Sequence, residues 1–353
     1  MTFAARKIRI AVVGVGLIGP RHCQTVLASP DAELVAVVDP LPQSADYASS
    51  IGTNYYSSIK DLNASPHKPD AAIVCTPNHT HVSVAKELIS AGIHVLVEKP
   101  ISIDIESGRD LIACAEEADV KLLVGHHRRF NPYVVAAKQE LLSGSLGRMI
   151  AVSGLWTTFK PMEYFDPPAD WRRASTGGVV LINLIHEVDL LQHLLGPITR
   201  VHAEATTSQR GFEAEEGAAI TLRFASGAVG TFILSDNVVS PYNFESGTGE
   251  NPLIPKTNGV DFYRIFGSNG TLSVPDMTKW TYAGEKKSWH ENMASTSIEV
   301  PEVVPFELQL AHFVRVVRGE EEASCDGKAG LSALIVCDAV KRSLASGQTV
   351  DIN

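Results

Sequence analysis

Three glycines in the order Gly14-Val15-Gly16-Leu17-Ile18-Gly19 stand where an apolar run, Ile8 to Val13, gives way to a helical pattern from Leu17 to Ala28. That context gives the spacing a chemical meaning. The first glycine permits a tight turn, the second lets the backbone approach a pyrophosphate, and the third lets helix and strand pack closely. Pro20 suits the helix's first turn, because the N–H it lacks would be unpaired there anyway. The remaining N–H groups and the dipole of that helix end favour a phosphate. Asp39 closes the next apolar run about twenty residues past Gly19, where a carboxylate accepts hydrogen bonds from a ribose diol. It would repel a 2'-phosphate, and neither Pro40 nor Leu41 supplies a cation for one, so NAD is expected rather than NADP.

Two further groups of polar residues follow apolar runs: Thr76-Pro77-Asn78-His79-Thr80-His81 and Glu98-Lys99-Pro100. Both fall at strand carboxyl ends, the place where doubly wound sheets bind ligands. Each has a plain structural alternative, a turn with an N-cap for the first and a solvated ion pair for the second. Downstream, His186 lies in an apolar helical stretch with Asn183 and Asp189 three residues to either side, which makes a polar strip on that helix. Oxidation of a secondary alcohol requires a base for the hydroxyl proton while hydride leaves carbon, and a histidine with pKa near 6.5 suits that task. A buried histidine satisfied by its neighbours fits the same pattern.

The elements that must position these residues are legible as periodicity. Ile8 to Val13, Leu34 to Val38, Ala71 to Cys75, His94 to Val97 and Lys121 to Val124 read as strands; Leu17 to Ala28, His81 to Ala91 and Ile103 to Glu117 read as helices between them. This alternation predicts βαβ units and a doubly wound parallel sheet. After Asn131-Pro132 the pattern changes to one helix (Tyr133 to Leu142) and strands at Met149 to Trp156, Ile198 to Thr206, Ala218 to Phe224, Val229 to Leu234 and Phe262 to Phe266. Ser226-Gly227 and Asn269-Gly270 supply hairpin turns, so a mostly antiparallel sheet is expected. Gly178 to Leu195 reads as one buried helix ended by Gly196-Pro197, and Phe306 to Val317 and Gly330 to Leu344 as closing helices. Ser240 to Gly259, rich in Pro, Gly and Asn, is expected to be a functional or mobile loop.

Composition narrows the classes. The chain has 353 residues, 30 Lys and Arg against 40 Asp and Glu, and a formal charge of -10, with no apolar run approaching the ~18 residues of a bilayer helix. Two domains, no membrane span and no phosphate-tracking nucleic-acid face are expected. Five cysteines without CxxC spacing, and termini without a signal-peptide or retention pattern, point to a reducing, cytoplasmic setting. His79-x-His81 and His126-His127 lack the companion ligands of a metal site, so none is expected.

Taken in order, GxGxxG, Asp39, Thr76-Pro77-Asn78-His79, Glu98-Lys99-Pro100, Gly125-His126-His127-Arg128-Arg129-Phe130-Asn131-Pro132, Asp170-Trp171-Arg172 and the Gly-Gly helix with His186 resemble the Gfo/Idh/MocA oxidoreductases over essentially the whole chain. The resemblance implies an α/β architecture: an N-terminal Rossmann domain (1-127) and a C-terminal α+β domain (128-353) with a large, mostly antiparallel open sheet. The closing helices would pack back on the first domain, and the sheet would support a homodimer or homotetramer. It implies hydride transfer between a nicotinamide cofactor and a sugar, cyclitol or related polyol. It further implies that Lys99 is the active-site lysine and His186 the catalytic histidine, and that Thr76, Asn78 and His79 neighbour the cofactor. The expected cofactor set is Gly14, Gly16, Leu17, Ile18, Gly19, Asp39, Thr76, Pro77, Asn78, His79, His81, Glu98, Lys99 and His127. Lys99, partly desolvated and near the positive nicotinamide, would lose charge readily and polarise the substrate oxygen or relay the proton.

One departure from the family pattern stands out: the aspartate four residues before the histidine is Ile182 here, and Asn183 is the nearest polar substitute. An amide orients an oxygen or an imidazole but carries no charge to stabilise imidazolium. Asn183 is therefore placed with Lys99 and His186 as a catalytic neighbour, and Arg128, Trp156, Lys160, Tyr164, Arg172, Asn183 itself and Asn243 are candidates for substrate contact, Asn243 with Phe244 and Glu245 in a lid. The cations in this group lean toward an acidic sugar or cyclitol acid. Two rival functions use the same scaffold, a glycoside hydrolase that retains NAD and a non-enzymatic dinucleotide-binding regulator.

Overall fold

The computed structural model describes residues 6–301 and 303–352, so the terminal readings that involve Met1 to Ala5 and Asn353 lie outside the described residues. The chain divides into two compact units, Met1–Phe130 with Val303–Leu334, and Asn131–Glu302 with Ile335–Asn353.

The first unit is built on six parallel strands: β1 (Ile8–Val13), β2 (Ala32–Val38), β3 (Asn54–Tyr56), β4 (Ala71–Val74), β5 (His94–Val97) and β6 (Leu122–Val124). Their spatial order is β3-β2-β1-β4-β5-β6, so the chain reverses direction across the sheet between β1 and β4. That reversal opens a crevice at the carboxyl ends of the strands. The central strands β4 and β5 are apolar because helices cover both sheet faces; Ala71, Ala72, Val74, Val95 and Val97 are fully buried. Helix Pro305–Val317 joins this core through Leu310, Phe313, Val314 and Val316, which cluster with Ile10, Val12, Cys23 and Val37. Residues from the far end of the sequence thus complete the first unit.

The second unit carries nine strands: β7 (Met149–Thr157), β8 (Ile198–Ala205), β9 (Gly217–Phe224), β10 (Val229–Ser235), β11 (Tyr263–Gly267), β12 (Gly270–Val274), β13 (Thr278–Tyr282), β14 (Met293–Ser297) and β15 (Val350–Asp351). They lie in the order β14-β13-β12-β11-β7-β10-β9-β8-β15, antiparallel throughout except where β10 runs parallel to β7. One face is buried by Val152, Trp156, Phe232, Leu234 and Ile265; Val229, Ile233 and Phe266 lie exposed on the other.

The helix expected over Gly178 to Leu195 differs in its first turn. Val180–Leu184 is wound as a π-helix and only Ile185–Leu195 is α-helical. Gly178 precedes it, and a Cβ there would lie 2.1 Å from the Glu215 carboxyl group, whose Oε1 accepts the Val180 N–H at 2.9 Å, so only glycine fits beside that carboxylate. Ser240 to Gly259 also differs from the expected loop, since Phe244–Thr248 forms a short helix and Phe244 is fully buried. No helix among the described residues is long and apolar enough to cross a membrane.

Candidate functional site

In the first unit the glycine loop links β1 to helix Gly19–Ala28. Gly14 has φ +88°, and a Cβ on it would lie 2.9 Å from the backbone of Cys75 and Thr76. A Cβ on Gly19 would lie 2.1 Å from the Gly14 carbonyl oxygen. Gly16 is the opposite case, exposed and with no atom within 4 Å of the Cβ position, beside a fully exposed Leu17. The helix starts with Pro20 in its first turn and has neither a side-chain cap nor an acidic residue there; the Arg21 and His22 N–H groups turn back to the Ile18 carbonyl, and the positive dipole of this helix end favours an anion. Asp39 is 7% exposed; its Oδ2 accepts the Val15 N–H at 3.0 Å and its Oδ1 the Leu41 N–H at 2.9 Å. The carboxylate is thereby fixed at the edge of the loop. An open approach at Gly16, the positive end of a helix dipole and an oriented carboxylate fit the pyrophosphate and ribose of a dinucleotide.

The ends of β4 and β5 bring the next residues to the same edge of the sheet. Pro77, Asn78 and His79 are exposed, and Asn78–Thr80 forms a 3-10 turn steadied by the hydrogen bond from Thr80 Oγ1 to Thr76 Oγ1 at 2.8 Å. His81 departs from its expected place against the cofactor. It is 1% exposed, with Nδ1 2.7 Å from the Pro100 carbonyl oxygen and Nε2 2.9 Å from that of Thr76, so it ties the two loops together. Burial pushes its pKa down against the opposing pull of those carbonyls.

Glu98 departs similarly. It is 7% exposed, Oε1 pairs with His22 Nε2 at 2.8 Å and Oε2 accepts the Lys99 N–H at 3.2 Å. Burial alone would raise its pKa, but the hydrogen bond and charge of His22, with His127 and Lys99, hold it at about 2. Glu98 therefore braces the Lys99 corner, where the Lys99-Pro100 peptide is cis, and Lys99 itself is half-buried. His22 was not singled out in the sequence. Its one signal is its position one helical turn beyond Gly19. Phe306 gathers this wall, with His127 stacked at 4.5 Å, His22 edge-on at 5.3 Å and the Arg21 guanidinium 4.1 Å from the ring centroid. Arg128 is buried, at 5% exposure, in the 3-10 turn His127–Phe130.

In the second unit His186 is 7% exposed and Asp189 1%, while Glu187 is fully buried and accepts the Tyr263 hydroxyl. Asn183 lies half-buried in the π-turn, and its Oδ1 accepts from Lys160 Nζ at 2.6 Å. Lys160 also pairs with Asp236 at 3.4 Å, and Asp236 is shared with Arg210 at 2.7 Å. The Lys160 ammonium lies 4.7 Å from the Tyr164 ring centroid, and the Arg172 guanidinium stacks on that ring at 3.8 Å. Burial pushes Lys160 down to about 8, although Asp236 and Glu245 pull the other way. The structure thus joins Asn183, Lys160, Tyr164 and Arg172 into one cluster and adds Asp236 and Arg210, which no spacing had marked.

Two substrate candidates lie in the core. Asn243 is 2% exposed, caps helix Phe244–Thr248 by accepting the Ser246 N–H at 2.8 Å, and donates to the Thr157 carbonyl at 3.1 Å. Trp156 is 2% exposed core, its indole N–H donated to Glu245 at 2.9 Å. Among the described residues no group of three His, Cys, Asp or Glu side chains is arranged to hold a metal ion.

A parallel sheet with this strand order, a glycine corner and an oriented carboxylate defines the class of dinucleotide-binding Rossmann domains. Two family patterns extend that assignment along the chain: the oxidoreductase family with an NAD-binding Rossmann fold, GFO_IDH_MocA, matches residues 8–126, and its C-terminal alpha/beta domain matches residues 138–352. The chain belongs to this Gfo/Idh/MocA family, and NAD is its cofactor. It is 26% identical to the inositol 2-dehydrogenase of Rhizobium meliloti (strain 1021), over 98% of this chain and 99% of that one. It is 30% identical to the scyllo-inositol 2-dehydrogenase (NAD(+)) of Bacillus subtilis (strain 168), over 68% and 70% of the two chains. The WlbA dehydrogenase of Bordetella pertussis, solved in complex with NADH and UDP-GlcNAcA, superimposes with a TM-score of 0.77 at 28% identity over 99% of both chains.

Proposed function

We propose that this enzyme oxidises a secondary alcohol of a sugar, cyclitol or related polyol, or reduces the corresponding ketone. The observation that carries the proposal is the gathering of the open Gly16 corner, Asp39, the Thr76–His79 turn and the braced Lys99 at one edge of the first unit's sheet. Relatives named for inositol oxidation, and one solved with a nucleotide sugar acid, support the substrate class. NAD supplies the hydride acceptor when bound. Lys99 is assigned to hold the substrate oxygen and His186 to take the hydroxyl proton as general base. Asn183 is assigned to substrate through its amide N–H groups, because its Oδ1 is already occupied by Lys160. Leu17, Ile18, Thr76, Asn78 and His79 are assigned to the cofactor, and Asp39 to its adenosine ribose, which favours NAD over NADP.

The same proposal gives the first unit to the cofactor and the second to substrate and assembly. Val229, Ile233 and Phe266 on the open sheet face would pair copies into a homodimer or homotetramer in the cytoplasm. The test is NADH fluorescence during incubation of the protein with NAD and a panel of cyclitols, aldoses, uronic acids and glycosides. NADH growth with a polyol class is expected, lost about 100-fold or more in Lys99→Ala and His186→Ala with NADH affinity nearly unchanged. Release of free sugar from glycosides without NADH would move the assignment to a cofactor-retaining hydrolase. Silence across the panel despite tight dinucleotide binding would move it to a regulator.

A further inference from the structure

The direction of the Asn183 amide is set by chemistry. An ammonium has donors only, so the atom facing Lys160 Nζ at 2.6 Å must be the amide oxygen. Its two N–H donors then point elsewhere, and among the described residues they have no protein partner, while the side chain stays half-exposed. The carboxylates around the cluster are each engaged. Asp236 is shared by Lys160 and Arg210. Glu215 accepts from the Val180 N–H. Glu216 accepts from Ser208, Gln209, Arg210 and Asn237. Glu245 holds the Trp156 indole. Against them stand three cations, Lys160, Arg172 and Arg210, and the Arg172 Nε has no hydrogen-bond partner. The cavity directly between Lys160, Tyr164, Arg172 and Arg210 is about 10 Å³, room for one water, so a substrate would meet this cluster through its outward donors.

We propose that Lys160 is a positioning residue that locks the Asn183 amide with its N–H donors toward substrate, and that the substrate oxygen received there is a carboxylate, making the preferred ligand a polyol or sugar acid. An aspartate at this place would accept a hydrogen bond from a hydroxyl and repel a carboxylate; a lysine-locked asparagine does the reverse. The ammonium behind the amide oxygen polarises the N–H groups in the same sense. This inference rests on the proposed polyol chemistry, yet it is tested by binding alone.

The experiment is calorimetric titration of the NADH-loaded protein with D-glucuronate and with D-glucose. Wild type is expected to bind glucuronate at least about tenfold more tightly, a difference of about 1.4 kcal/mol. Asn183→Asp, which keeps the side-chain shape and a partner for Lys160, should abolish or reverse that preference. Lys160→Met should bring the two affinities within about threefold, with NADH binding retained. Equal wild-type affinities, a preference that survives in Asn183→Asp, or no measurable binding of either sugar would overturn the proposal. Turnover of neutral polyols without an acid preference would sink this inference and leave the dehydrogenase assignment standing; acid-selective binding with no turnover of any polyol would do the opposite.

Discussion

Three glycine-to-alanine variants separate folding from cofactor binding within six residues. Gly14→Ala places a Cβ 2.9 Å from the Cys75 and Thr76 backbone at φ +88°. The left-handed backbone costs about 1–2 kcal/mol for alanine and the contact with rigid main chain about as much again, so a loss of about 2–4 kcal/mol is expected. Gly19→Ala would press a methyl to 2.1 Å from the Gly14 carbonyl oxygen and should cost about 3 kcal/mol or more. Gly16→Ala meets no atom within 4 Å and needs no left-handed backbone. Its stability should stay within about 0.5 kcal/mol of wild type. A methyl there would nevertheless stand where the pyrophosphate must approach, weakening NADH by about 10- to 100-fold, or about 1.4–2.7 kcal/mol. Thermal unfolding without ligand and NADH fluorescence titration measure the two quantities independently. A Gly16→Ala protein that unfolds several degrees early, or that binds NADH as wild type does, would refute the division of labour argued for this loop.

Asp39→Ala should narrow the ratio of NAD to NADP affinity by about tenfold or more, since the carboxylate that would oppose a 2'-phosphate is gone; a wild-type preference for NADP would overturn its assignment. Glu98 has its carboxyl held at about 2 against an ordinary 4.5. A depressed folded-state pKa gives stability that is complete above the unfolded value and is lost as pH falls from about 4.5 toward 2, at most about 3 kcal/mol here, so denaturant titrations at pH 6 and pH 3 should differ less in Glu98→Gln than in wild type. Asn243→Ala should lower stability by about 1–3 kcal/mol through the lost helix cap and the unpaired Thr157 carbonyl. A large change in KM without a change in denaturation midpoint would restore Asn243 to the substrate site.

The parts of the first unit that were legible in the sequence are those whose burial is two-sided. β1, β4 and β5 read as strands because helices on both faces exclude polar residues, whereas Asn54–Tyr56 is a three-residue edge strand, too short and too polar to show a period. β13 and β14 escaped for the related reason that Thr278–Tyr282 and Met293–Ser297 have no buried residue and so no alternation. The π-turn at Val180–Leu184 keeps helical spacing in its side chains, so nothing in the apolar pattern distinguishes it from an α-helical first turn.

The site divides along the same line. A loop motif is local and can be read from spacing; a pairing across a sheet needs the strand order. His22 and Glu98 are 76 residues apart and meet because β1 and β5 both flank β4, which no periodicity specifies. Lys160 and Asp236 depend on a less expected feature. β7 and β10 are the one parallel pair in a sheet that its hairpins make antiparallel, so both strands leave the sheet at the same end, with Thr157 opposite Ser235. Past the strand ends the two segments stay together through an antiparallel bridge between Phe159 and Asn237, in which the Lys160 N–H bonds the Asp236 carbonyl at 2.8 Å, and this brings the ammonium to the carboxylate. Had β10 been antiparallel to β7, Asp236 would have emerged at the far edge and Lys160 would have lacked its buried counter-charge. An unpaired, nearly buried lysine at that position would shed its proton or leave the core. The orientation of Asn183 therefore follows from strand direction at one place in the second sheet, and its chemistry became visible only once that direction was known.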